Sequence, residues 1–180
     1  GLEGATSLAF SPGGDSIVAV GAFEDRLAVF SRETDPGATD PAEPLFGELT
    51  FLQVRAIGVG DQPLGVAFSP DGSQVYVASA NSDSVSAFRR SDTPGSTDYG
   101  RLSLIAQYVN GVDGVSGIRG ARSISVSPDG QRVYVGAESD KAVTVFDRNQ
   151  SSTSVDFGGL TYLDSRIDGN SGVEGLDGVR

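Results

Sequence analysis

Cysteine, histidine, methionine and tryptophan are all missing from this chain. Without cysteine there are no disulfides and no thiolate chemistry. Without histidine the usual general base at neutral pH is gone, and so is the commonest ligand for transition metals. Lysine is nearly absent too: Lys141 is the only one, and the remaining basic residues are arginines. No apolar run approaches the ~18 residues that span a bilayer. No initiator methionine or signal peptide precedes Gly1, which opens directly into repeat sequence, so the chain reads as a processed product or a piece of something longer. Positive charge is scarce overall, with a formal net charge of −11. That balance disfavours nucleic acid and anionic membrane as partners and suits cations.

What the chain does have is glycine, 25 residues in 180, together with abundant valine and serine and turn residues throughout. This composition points to an all-β protein. The decisive feature is an internal repeat. Ser11-Pro12-Gly13-Gly14 returns as Ser69-Pro70-Asp71-Gly72 and as Ser127-Pro128-Asp129-Gly130, each step being 58 residues. Phe30, Phe88 and Phe146 keep that spacing, as do Arg32, Arg90 and Arg148. The units run 1–58, 59–116 and 117–174, and 175–180 repeats the start of the first. In the first unit the third loop, through Pro41, Glu43 and Pro44, is longer, and the last loop, around Gly58 to Gln62, is shorter by the same amount.

Each unit reads as four strands. In the second they are Leu64 to Ser69, Gln74 to Ser79, Ser84 to Arg89 and Arg101 to Val109. The Ser-Pro-Asp-Gly stretch makes the first turn, because proline fixes φ and glycine accepts positive φ. Strands two and three are apolar on both sides, as in Ile17-Val18-Ala19-Val20 and Leu27-Ala28-Val29-Phe30. A sheet with one wet face would alternate instead. A repeated four-stranded unit buried on both faces predicts a β-propeller segment of three antiparallel blades.

Ser-Pro-Asp-Gly followed by Gln74-Val75-Tyr76-Val77-Ala78, or by Gln131-Arg132-Val133-Tyr134-Val135-Gly136, resembles the YVTN-type and lactonase-like β-propellers. Val143-Thr144-Val145-Phe146-Asp147-Arg148, Gly158-Gly159-Leu160-Thr161-Tyr162-Leu163 and the linker from Gly114 to Arg122 carry the same likeness, which covers the whole chain. The first unit departs from it, with Gly13 for aspartate and Ile17-Val18-Ala19 for Val-Tyr-Val. The resemblance implies a ring of typically seven blades and an extracellular or periplasmic setting. Some such relatives hydrolyse or isomerise lactones with Glu, Arg and often His from several blades around a central channel. With no histidine here, no catalytic residue carries over.

Four residue sets are candidates for function. Asp168, Asn170 and Glu174, in a glycine-rich inter-unit loop like that of Asn110 to Gly114, offer hard oxygen ligands that suit Ca²⁺; the plainer reading is a tight turn. Arg32, Arg90 and Arg148 form either an anion-binding ring or, as their recurrence favours, a hydrogen bond or salt bridge within the blade to a neighbouring turn. Asp71 and Asp129 read as turn residues that accept their own backbone hydrogen bonds. Phe46, Tyr99 and Phe157, beside the loop before strand four, offer a sugar or peptide contact or packing against the next blade.

The sequence therefore favours a non-enzymatic extracytoplasmic interaction or assembly module without cofactor. Its expected partner is another protein or further copies of itself joined head to tail. A lactonase-like enzyme completed by other blades is the second reading, and a calcium-stabilised adhesive repeat the third. Three blades leave two large apolar faces open, which favours association.

Overall fold

The computed structural model describes residues 2–37, 44–58, 60–93, 95–170 and 172–176. Pro41 and Glu43 of the long first-unit loop lie outside them, as do 177–180 at the start of the fourth unit. Twelve strands form three sheets. The first holds β1 (Ala5–Phe10), β2 (Ser16–Gly21), β3 (Arg26–Arg32) and β4 (Leu49–Ala56). The second holds β5 (Pro63–Phe68), β6 (Gln74–Ser79), β7 (Ser84–Arg90) and β8 (Leu102–Val109). The third holds β9 (Ala121–Val126), β10 (Arg132–Ala137), β11 (Ala142–Arg148) and β12 (Leu160–Ile167). In each, consecutive strands are neighbours and antiparallel. These are three successive blades of a β-propeller. The second-unit strands match the sequence reading to within one residue at each end.

The turn after each first strand closes as its residues dictate. The Gly14, Gly72 and Gly130 amides donate to the carbonyls of Ser11, Ser69 and Ser127 at 2.8–2.9 Å. Those glycines sit at φ of 73°, 72° and 70°, a region that costs a side chain strain. Each blade also shifts register between strands three and four just before its repeated phenylalanine, at Val29/Phe30, Ala87/Phe88 and Val145/Phe146. A bulge there bends the outer strand and adds twist.

Period-two geometry sends alternate residues to opposite faces. From the first blade, Val18, Val20, Leu27 and Val29 pack on Val66, Val75, Val77, Phe88 and Leu102 of the second. From the second, Tyr76, Ala78, Val85 and Ala87 pack on Val133, Val135, Phe146 and Leu160 of the third. The two junctions use equivalent residues, 58 apart. The middle blade is packed on both faces by its neighbours, and β2 and β6 are each buried along their whole length. β11 instead alternates between buried and half-exposed residues.

First strands of adjacent blades nearly touch. The Thr6 hydroxyl donates to the Pro63 carbonyl at 3.0 Å. A Cβ on Gly65 would meet the Arg122 carbonyl oxygen at 2.5 Å. The ring axis therefore lies on the β1, β5 and β9 side. Gly65→Ala is expected to cost about 1–3 kcal/mol through overpacking at this backbone contact. Gly13→Ala, whose new methyl meets nothing nearer than the Asp15 carboxylate at 3.5 Å, should stay within about 0.5 kcal/mol of the parent. Urea unfolding of both variants checks this, and equal costs would contradict it.

Candidate functional site

The two ends of the blades differ chemically. One end carries the turns between strands one and two and the loops between strands three and four. There Arg90 and Arg148 find carboxylates in the turn of the blade before, and Arg32 and Arg148 also make the expected hydrogen bond to the turn of their own blade. Arg90 Nη2 donates to Asp15 Oδ2 at 2.6 Å, and Arg148 Nη2 to Asp71 Oδ2 at 2.6 Å. Within the blade, only carbonyls take part, with Arg148 Nη1 on Gly130 at 3.0 Å and Arg32 Nη1 on Gly14 at 3.3 Å. The Arg148 side chain is 1% exposed. It also donates to Gln74 Oε1 and, through Nε, to the Tyr76 hydroxyl at 3.1 Å. That hydroxyl in turn donates to the Gly158 carbonyl at 2.8 Å.

The aromatic residues belong to this same device. Phe46, Tyr99 and Phe157 lie 5.3, 5.2 and 5.7 Å from the guanidinium carbons of Arg32, Arg90 and Arg148, within cation–π range. Each thus covers an arginine of its own blade while Phe46 and Tyr99 stay exposed, and the Tyr99 hydroxyl reaches back to Asp15 at 2.9 Å. Two sets that look separate in sequence form one clamp: aspartate, arginine, aromatic. In the first blade Gly13 stands where the clamp aspartate belongs, and Asp15 replaces it two residues later. The Ser11 hydroxyl donates to Asp15 Oδ1 at 2.6 Å, as Ser69 does to Asp71 Oδ1.

Burial acts to raise the pKa of Asp71. Hydrogen bonds from Ser69, Ser73 and Arg148 outweigh it and hold the carboxyl well below its usual range. Asp15 is lowered likewise, burial being overcome by Ser11, Tyr99 and Arg90. Burial pushes the Tyr76 phenol far up, against the opposing pull of Arg148. Asp129 is lowered chiefly by its hydrogen bond from Ser127, and also accepts the Gln131 amide at 2.9 Å. A carboxyl depressed on folding stabilises fully above its unfolded pKa of about 4, and that stability is lost as pH falls below it. Asp71→Asn should therefore be less stable than the parent at pH 7, with the gap narrowing towards pH 3. Urea midpoints at the two pH values read this, and a constant gap would contradict it.

The opposite end carries the loops between strands two and three and the links between blades. Asp25 and Asp83 occupy equivalent left-handed positions, at φ of 53° and 49°. The Asp25 carboxylate accepts the Gln62 amide at 2.8 Å, and that of Asp83 accepts the Gly120 amide at 2.7 Å. Each thus ties its blade to the first strand of the next. The Asp168 loop repeats the Asn110 loop bond for bond. Asp168 Oδ1 accepts the Leu176 amide at 3.0 Å as Asn110 Oδ1 accepts that of Ile118 at 3.2 Å. Asn170 uses its backbone, donating to Ile167 and accepting from Val173. Among the described residues no cluster of three or more acidic side chains is poised to hold a metal.

Two charged pairs at this end break the repeat, Arg119–Asp140 in the link before β9 and a second pair beside it. Arg122 Nε meets Glu138 Oε2, with both side chains partly open to solvent. The equivalent positions hold Leu64 and Ala80 in the second blade, and Thr6 and Ala22 in the first. The Glu138 amide donates to the Gly120 carbonyl at 3.0 Å, which fixes the pair beside the start of β9 on the axis side. Sequence reasoning passed over these two residues. The signal was available, as charge in one unit only where its equivalents are small or uncharged.

No family model and no curated protein matches the chain. Solved structures do match in shape. A 6-phosphogluconolactonase candidate from Bacteroides fragilis superposes with a TM-score of 0.70 at 20% identity, covering 92% of this chain and 40% of that one. The periplasmic gluconolactonase of Pseudomonas aeruginosa gives 0.66 at 22% identity, covering 91% and 40%. The β-propeller domain of Myceliophthora thermophila Swd1 gives 0.61 at 14%, covering 91% and 44%. At these identities the likeness is one of fold. The chain spans about two fifths of each of these structures.

Proposed function

We propose that this chain forms part of a lactonase-like propeller that opens cyclic esters, with Arg122 and Glu138 as its reacting pair. The lactonase neighbours favour this over the non-enzymatic module that the absence of histidine suggests. The observation that carries it is the Arg122–Glu138 pair itself. Residues that recur in every blade serve the fold. This pair occurs in the third blade alone, next to the axis and partly open to solvent, and neither side chain belongs to the apolar clusters that pack the described junctions.

The chemistry follows from the two groups. A water molecule attacks the lactone carbonyl carbon while the Glu138 carboxylate takes its proton. The carbonyl oxygen gathers negative charge, which the Arg122 guanidinium stabilises. The ring C–O bond then breaks, Glu138 returns the proton to the departing alkoxide, and a hydroxy acid leaves. An extracytoplasmic setting, such as that of the Pseudomonas aeruginosa neighbour, suits a chain without thiols.

The test is ring opening of an aldonolactone by the purified protein, followed as acid release above the spontaneous rate. Glu138→Gln and Arg122→Ala are each expected to lower kcat by about 10²-fold or more with the melting temperature unchanged. Absence of any rate above background in the parent would overturn the reading.

A further inference from the structure

The fourth strand of each blade is the outer edge of its sheet. An edge strand presents a row of unpaired amides and carbonyls, which proteins commonly guard with charge or proline. β4 carries Arg55, and β12 carries Asp164 and Arg166. β8, Leu-Ser-Leu-Ile-Ala-Gln-Tyr-Val, carries neither charge nor proline, and its Leu104 is 46% exposed.

The first junction shows how such an edge is met from within the chain. The Gln53 side chain of β4 reaches across to Leu102 of β8. It accepts the Leu102 amide at 2.8 Å and donates to the Leu102 carbonyl at 3.3 Å, the two kinds of bond that a neighbouring strand makes. Ala106 holds the equivalent place one blade on, because Val29 pairs with Gln53 as Ala87 pairs with Ala106. A methyl group makes neither bond. At the second junction the Tyr108 hydroxyl takes the Leu160 amide at 2.6 Å, and a groove of about 320 Å³ lies between β8 and the loop through Val155 and Asp156.

This groove reaches the backbone edge of β8. Ser103 pairs with Arg89 and Leu104 with Phe88, so their side chains leave on opposite sides of the sheet, yet both border it. Val155, 94% exposed, forms the far wall. Arg89 holds that wall through Nη2, which donates to the Val155 carbonyl at 3.1 Å and the Phe157 carbonyl at 3.3 Å. Among the described residues no carboxylate forms an ion pair with Arg89. Asp156, on the rim, already accepts the Ser154 hydroxyl. The first blade has Ser31 where Arg89 stands and the third has Asp147, so the cation is peculiar to this groove.

We propose that the groove receives an extended segment of a partner protein, which adds to the second blade along β8 and sets an acidic side chain against Arg89. In strand addition the main-chain bonds supply affinity and the pockets for alternate side chains supply specificity. Here the main-chain bonds come from the edge of β8, and Leu104, Val155 and Arg89 do the selecting. Both blades that border the groove have all four strands, and the inference uses neither Arg122 nor Glu138.

The probe is a fluorescein-labelled, end-blocked octapeptide of alternating threonine and valine with glutamate at its fourth position, titrated with the 180-residue chain by fluorescence anisotropy. Saturable binding is expected, with slower hydrogen exchange at the β8 amides. Ala106→Gln, which restores the residue of the first blade, and Arg89→Ser should each weaken binding about tenfold or more, with the melting temperature of Ala106→Gln unchanged. The same peptide N-methylated at alternate residues should lose binding, because strand addition needs its amides. No saturation at millimolar protein overturns the proposal. So does equal binding of the N-methylated peptide, or binding indifferent to both substitutions.

Discussion

Every sheet in this molecule must bury both of its faces, and the rest of the structure follows from that constraint. A single four-stranded sheet of this kind cannot do so alone. Valine and alanine fill its second and third strands on both sides, which leaves no wet face to turn outwards. Stacking meets the demand for the middle blade and half of it for each outer blade. Because the same demand recurs every 58 residues, the same side chains meet it at both junctions. The outer blades retain the demand unmet, and for that reason their exposed residues are large and apolar where a surface would ordinarily be polar.

Apolar faces alone would let one blade slide over the next. The polar ends prevent this, each in its own way. At one end the aspartate of one blade receives the arginine of the following blade, and an aromatic ring covers that arginine. A guanidinium offers directional donors to several acceptors, so the clamp sets position as well as adding attraction. At the other end Asp25 and Asp83 hold the backbone that leads into the next blade. Charge spent in these roles is not available for chemistry. Arg122 and Glu138, beside the first strand of the third blade, form a pair without counterpart in the other two blades.

The fold was legible because it is written three times. A period of 58 residues, a turn tetrapeptide that allows one geometry and strands without alternation leave few architectures open. The arginines and the aromatics were each visible as recurring residues, yet their union was not. Asp71 and Arg148 lie 77 residues apart in the chain, and nothing in local sequence says which blade an arginine will reach. The first blade hid the pattern further by moving its carboxylate from position 13 to Asp15. The Asp168 loop shows how local chemistry and repeat geometry speak to the same residue. Its carboxylate looks ligand-like in sequence, whereas the structure gives it the backbone hydrogen bond that the neutral Asn110 makes in the blade before. Arg122 and Glu138 escaped notice because a search for recurrence passes over what occurs once.

The claim that inter-blade clamps fix the stack can be measured directly by a double-mutant cycle between Arg148 and Asp71, with the exposed pair Arg166–Asp164 as reference. The unfolding free energies of the parent, Arg148→Ala, Asp71→Ala and the double variant give the coupling between the two blades. The account predicts about 1.5–3 kcal/mol for the clamp, as for a hydrogen bond to a charged group, and about 0–1 kcal/mol for the exposed pair. Equal coupling in the two pairs would contradict it and would leave apolar packing alone to hold the blades together.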